Sequence, residues 1–365
     1  MSTAISASPS PPEVPTPIVE PTSDHKAEIA AWKRIVAEYQ VPSALRATWQ
    51  LINTLGGYVA VWFLIAWSLT VSWWLTIPLA VLQGGLLVRV FIIFHDCGHG
   101  SFFKSRLAND IFGFVAGMLT FTPYYQWRWE HSLHHATAGN LERRGVGDVW
   151  TLTVQEYLEA SRWKRFAYHM ARNPIILFFL APVFLFVVLQ RIPTIKAGPR
   201  EASSVWWMNL ALVVQAVLMS LWIGFMPYLV VQLIAMAVAG TSGVWLFYVQ
   251  HQFEDAYWER DDWDYTAAAL KGSSFYKLPR VLQWFSGNIG FHHIHHLSPR
   301  IPNYNLERCH RSDPMFQEVE HVTLWESLRL SKLRLWDEPA KKLIGFRHFK
   351  QQQRDARKAK KDAPN

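Results

Sequence analysis

Two stretches of the chain carry no Asp, Glu, Lys or Arg: the residues between Arg46 and Arg89, and those between Glu201 and Glu254. Each is about twice the roughly 20 residues a helix needs to cross a hydrocarbon core. No strand or helix of a soluble core needs so long an uncharged run, so the pattern predicts an integral membrane protein. The first run divides near Ser72–Trp74 and the second at the GFMP sequence, Gly224–Pro227. The expected spans are about 49–70, 74–94, 204–223 and 228–249, arranged as two hairpins. Two further apolar stretches, 111–127 and 173–190, read as interfacial or re-entrant helices. The predicted class is an all-α membrane protein with four transmembrane helices, interfacial helices and a histidine-rich cytoplasmic domain.

Charge orients this arrangement. Both dividing turns lack Lys and Arg while the opposite ends of the spans are basic, which puts the amino terminus, the middle of the chain and the carboxyl terminus in the cytoplasm. The net charge of +8 raises the question of nucleic acid. Its placement answers against that, because Arg162, Lys164, Arg165, Arg172, Arg191, Lys196 and Arg200 flank apolar segments. They read as a solvated, lipid-facing surface. Residues 1–45 are expected to form a disordered cytoplasmic arm: 1–23 are rich in Ser, Pro and Thr and lack the charged and apolar regions of a signal peptide. The membrane domain is expected over 46–349 and a basic polar tail over 350–365. Cys97 and Cys309 are the sole cysteines, so no disulfide framework or CxxC motif is present.

The candidate chemistry lies in the histidines. HDCGH puts His95 and His99 at i and i+4 where the second span ends, HSLHH supplies His131, His134 and His135, and HHIHH supplies His292, His295 and His296. These spacings set side chains on one helical face, a turn apart. His293 points about 100° away from His292 and is the odd one out. His25, His169, His310, His321 and His348 stand alone and read as ordinary packed or solvated residues. Eight imidazoles gathered on one membrane face make sense as metal ligands, and they are too many for one ion. Iron is preferred over zinc, whose sites usually close with four ligands and mix in Cys or carboxylate. Convergence also requires that 173–190 not cross the bilayer, since one extra crossing would turn the third group away from the first two.

The motifs HDCGHGSFF (95–103), WEHSLHHATAGN (129–140), YVQHQFED (248–255) and GNIGFHHIHHLSPRIPNYNL (287–306) resemble those of the membrane fatty acid desaturases of the acyl-lipid, methyl-end type. The resemblance runs from about residue 50 to 310. It implies two non-haem irons, a long acyl chain held in a membrane lipid as substrate, insertion of a cis double bond with dioxygen, and two electrons from ferredoxin or a separate cytochrome. It also implies a further ligand from the loop after the last span, matched here by His251. The implied ligand set is His95, His99, His131, His134, His135, His251, His292, His295 and His296, without His293. The expected location is a bacterial-type inner membrane with the site on the cytoplasmic face. Asp96, Glu130, Asp148, Glu254, Asp255 and Asn288 are candidates to orient the rings, and Trp127, Trp245 and Tyr248 to line an acyl tunnel. The nearest rival is a di-iron hydroxylase or ketolase acting on carotenoids or alkanes. A metal transporter fits less well, because the spans carry no acidic residue or histidine at mid-membrane.

Overall fold

A computed structural model describes residues 32–362. Four helices among them are long and apolar enough to cross a membrane: Ala44–Ser68, Trp73–His99, Pro199–Ile223 and Phe225–His251. Each begins one to five residues before the hydrophobic run suggests, and local capping sets the first two starts. The Ser43 hydroxyl accepts from the Arg46 N–H and the Ser72 hydroxyl from the Trp74 N–H, satisfying donors that a helix start leaves unpaired. Pro199 sits in the first turn of the third span, where its missing N–H costs nothing.

The second span is the hub, packing against both the first and the fourth. At Gly84 the fourth span comes so close that a Cβ would lie 2.8 Å from the Ala235 carbonyl oxygen. Only a residue without a side chain permits that approach. The second span continues past its apolar stretch through His95 and His99 and stops at Gly100, whose φ of 67° is left-handed.

The chain between the second and third spans forms helices at Arg106–Leu119 and Tyr124–Thr137, then Arg162–Ala171 and the segment Ile176–Arg191. The last two are bent by 61° relative to each other, and the second opens with a π-helical turn over Ile176–Leu180. By length and composition the pair is either a fifth, broken span or a re-entrant loop.

Three expectations change. The fold is helical but not purely so: Leu152–Thr153 pairs parallel to Leu333–Asp337, which pairs antiparallel with Lys342–Gly345, and Phe275–Lys277 runs parallel to His321–Thr323. Strands of two to five residues are too short for alternation to register in the sequence. The arm expected over 1–45 is ordered from Trp32 onward. Trp32 and Val36, one helical turn apart, are buried with Ile294, Leu297 and Ile301 around the third histidine group. The first 31 residues, including His25, lie outside the described residues. Finally, Arg172 is not a lipid-facing cation. It is 1% exposed and donates to Gln252 Oε1 (2.8 Å) and to the Leu333 carbonyl (3.0 Å), tying the end of the fourth span to the sheet. The tail is helical within Phe346–Asp362.

Candidate metal centre

The nine predicted histidines come from four places in the chain. His95 and His99 extend from the end of the second span, and His251 is the last residue of the fourth. His131, His134 and His135 lie on the helix Tyr124–Thr137, with the His131 ring stacked on Trp127 at 4.4 Å. The third group is a six-residue helix, His292–Leu297. It follows two consecutive left-handed residues, Gly287 (φ 52°) and Asn288 (φ 61°), which turn the chain back under the second span. The Phe275 ring, stacked on Phe291 at 4.5 Å, holds its start in place.

The rings converge in two groups. His95, His99, His131, His135 and His295 bring their ligand atoms within 4.8 Å of one another, and His134, His251 and His296 do the same. His292 joins the second group, its Nε2 lying 2.9 Å from that of His251 and 3.1 Å from that of His296. In the first group the Nε2 atoms of His95 and His131 are 3.0 Å apart, those of His131 and His135 3.1 Å, and those of His135 and His295 2.9 Å.

The grouping explains why two of the motifs end in paired histidines. Each i, i+4 pair (His95/His99, His131/His135, His292/His296) stays within one group, as one helical face demands. The neighbours His134 and His295 point about 100° away from His135 and His296, and each crosses to the other group. Each doublet thus serves both groups and links them.

The donor set fits metal ions. Neutral imidazole has one N–H and one lone pair, so a ring of Nε2 atoms cannot satisfy itself through hydrogen bonds alone. His99 Nε2 is buried with no partner among the described residues. Metal–nitrogen bonds of about 2.1 Å put neighbouring ligand atoms roughly 3.0–3.4 Å apart, the spacing seen here. Burial, with the nearby rings adding to it, pushes His131, His135, His292, His295 and His296 well below the ordinary histidine pKa. Near pH 7 they are neutral and their lone pairs are available.

Three rings are oriented through their other nitrogen. Asp148 Oδ1 lies 2.7 Å from His134 Nδ1, Asp96 Oδ1 3.2 Å from His95 Nδ1, and the Gly272 carbonyl oxygen 3.2 Å from His251 Nδ1. Asp96 is itself fixed: its other oxygen accepts from the Asn303 backbone N–H (2.6 Å) and side chain (2.8 Å). Of the six acidic or amide residues singled out in the sequence, these contacts pick out Asp96 and Asp148. Glu130 instead accepts from Thr194, Asp255 pairs with Lys342, and Asn288 bonds Gln283 and the Asn303 carbonyl. The Glu254 carbonyl accepts from the Leu343 N–H. Gly272 gave no signal in the sequence, and Asn303, though inside the 287–306 motif, was not singled out there, as each acts through a long-range contact. Trp245 packs on Phe178, and the Tyr248 hydroxyl donates to the Leu333 carbonyl, so both have structural work. His293 turns away from both groups, with Nε2 3.1 Å from His310 Nδ1 and 3.0 Å from the Phe316 carbonyl oxygen.

The profile of the family described as fatty acid desaturase matches residues 72–326. The chain is also 48% identical, over 86% of its length and 90% of the other protein, to a fatty acid desaturase of Bacillus subtilis. The chain belongs to the fatty acid desaturase family. More distant members of the family include an sn-1 oleoyl-lipid 12-desaturase of Synechocystis sp., 27% identical over 74% of this chain and 76% of that protein. An sn-1 acyl-lipid omega-3 desaturase (ferredoxin) of the same organism is 27% identical over 70% of each. Family membership makes the chain an oxidoreductase, and the profile spans all three histidine motifs and His251.

Proposed function

We propose that the protein is a di-iron desaturase that inserts a cis double bond into a long acyl chain carried by a membrane lipid. The convergence of nine imidazoles into two adjacent groups carries this reading. His95, His99, His131, His135 and His295 hold one iron, and His134, His251, His292 and His296 hold the other. Iron held there would supply the redox chemistry by which dioxygen is reduced to two waters, taking two hydrogen atoms from adjacent methylenes, two electrons from a donor protein such as ferredoxin or a separate cytochrome, and two protons from solvent.

The chain's own residues prepare that site. Asp96, Asp148 and the Gly272 carbonyl hold protons on the outer nitrogens and so aim the lone pairs of His95, His134 and His251 inward. The burial of His134, His135, His292, His295 and His296 keeps water from competing with the acyl chain.

Parity supports one shared face for the site. The second and fourth spans both end at the histidines, and the third and fourth are joined by the short turn at Gly224. The third span therefore starts on the face where the second ended, and the bent segment between them makes no net crossing. The basic flanks make this the cytoplasmic face, in a bacterial-type inner membrane. Iron analysis tests the metal assignment: about two irons per chain and little zinc are expected, and a preparation that desaturates without iron overturns it. Product analysis in a host making saturated and monounsaturated lipids separates a new double bond from the alcohol or ketone of a hydroxylase.

A further inference from the structure

A cavity of about 570 Å³ opens beside the first histidine group, with His99 on its inner wall. Pro42, just before the first span, the end of the second span at His99–Gly100, and Arg200, in the first turn of the third, all border it. Three spans leave the bilayer here, so the cavity lies at headgroup level.

Its charge is one-sided. Lys104, Arg106, Arg128, Arg200 and Arg300 line it, against one carboxylate, Asp110. Asp110 is engaged by Arg128 at 3.5 Å. Among the described residues, Lys104, Arg106, Arg200 and Arg300 form no ion pair. The Arg200 guanidinium lies 3.8 Å over the Tyr125 ring, which fixes it without neutralising it. Cations held together around a concavity repel one another and focus a positive potential into it, an arrangement an anion stabilises.

The shape selects the kind of anion. A volume of about 570 Å³ is that of a small-molecule site, typically about 300–1,000 Å³, whereas a docked protein covers a broad surface of about 800 Å². Arginine forks match phosphate oxygens in pairs. We propose that this cavity binds the phosphodiester of the phospholipid whose acyl chain is desaturated, with Lys104, Arg106 and Arg300 as its principal contacts. The inference rests on the acyl-lipid reading above and narrows it to phospholipids. A headgroup held against the His99 wall tethers its acyl chain beside the first histidine group.

The test measures lipid retention by the full-length protein in neutral detergent, using native mass spectrometry. The probes are phosphatidylglycerol and a galactosyl diacylglycerol with the same acyl chains. Wild-type protein is expected to retain phosphatidylglycerol at least about tenfold more tightly. Arg106→Gln and Arg300→Gln should each weaken that retention about tenfold, with no matching loss for the galactolipid. Arg106→Lys should recover part of it. Equal retention of the two lipids overturns the proposal, as does wild-type retention of phosphatidylglycerol by both variants. Tighter binding of inorganic phosphate or of an acyl-coenzyme A than of the phospholipid also overturns it. So does slowed reduction by an acidic electron carrier with lipid retention intact, since the surface would then be a protein-docking site. Retention needs no turnover, and iron measured on the same samples separates failure of the metal assignment from failure of this one.

Discussion

Two histidines separated by 42 positions provide the sharpest test of the site. His251 Nε2 lies 3.3 Å from that of His134 and 2.9 Å from that of His292, and its Nδ1 faces the Gly272 carbonyl oxygen. His293 is fully buried but bonds His310 and the Phe316 carbonyl instead. His251→Ala removes one of four lone pairs from the second group and leaves His134, His292 and His296. Three imidazoles with one coordination edge open to water are expected to lose that iron on dialysis, lowering the content from about two per chain to about one. Activity should fall to background. His293→Ala removes no ligand. It leaves the His310 ring without its histidine partner and opens a void in the core, costing stability by about 1–3 kcal/mol. Its iron content should stay near two while its midpoint of thermal unfolding drops. Iron per chain by plasma mass spectrometry, paired with unfolding in detergent, reads both effects. If His293→Ala loses iron and His251→Ala keeps it, the register of the third histidine helix and the two-group assignment are both wrong.

Asp148→Asn should weaken iron retention about 10- to 100-fold, because His134 loses the carboxylate that holds its outer proton; a chelator titration that finds no change refutes that role. Burial pushes the Cys309 thiol up to about 12, so at pH 8 it stays protonated and should resist iodoacetamide in the folded protein, reacting after denaturation. Gly84→Ala puts a Cβ 2.6 Å from that of Val238 and should destabilise the second and fourth spans by about 1–3 kcal/mol, seen as a lower unfolding temperature in detergent. Cysteines introduced by Arg143→Cys and Lys196→Cys should both be labelled from the cytoplasm alone, and labelling of the second from outside would defeat the parity argument.

The sequence by itself determined the candidate spans and the histidine motifs. A hydrocarbon core excludes charge, so the two uncharged runs had to be membrane helices, and the structure moves their ends by a few residues through the Ser43, Ser72 and Gly100 caps. Helical periodicity decided which histidines share a face, and it set His293 aside. Tertiary structure alone decided the rest. The division of the histidines into two groups depends on how three short segments and the end of the fourth span pack, and no spacing along one helix encodes that. The same holds for Gly272 behind His251, for Asn303 behind Asp96, 207 positions away, and for Trp32 and Val36 under the third histidine helix. Arg172 and Arg200 look alike in the sequence, each a cation beside an apolar stretch. One is buried and bonded while the other lines a cavity, because the fold supplied buried carbonyl and amide oxygens to Arg172 and open space to Arg200. Local pattern is set by the solvent each residue must face, whereas partners across the fold are set by packing that no short window of sequence contains.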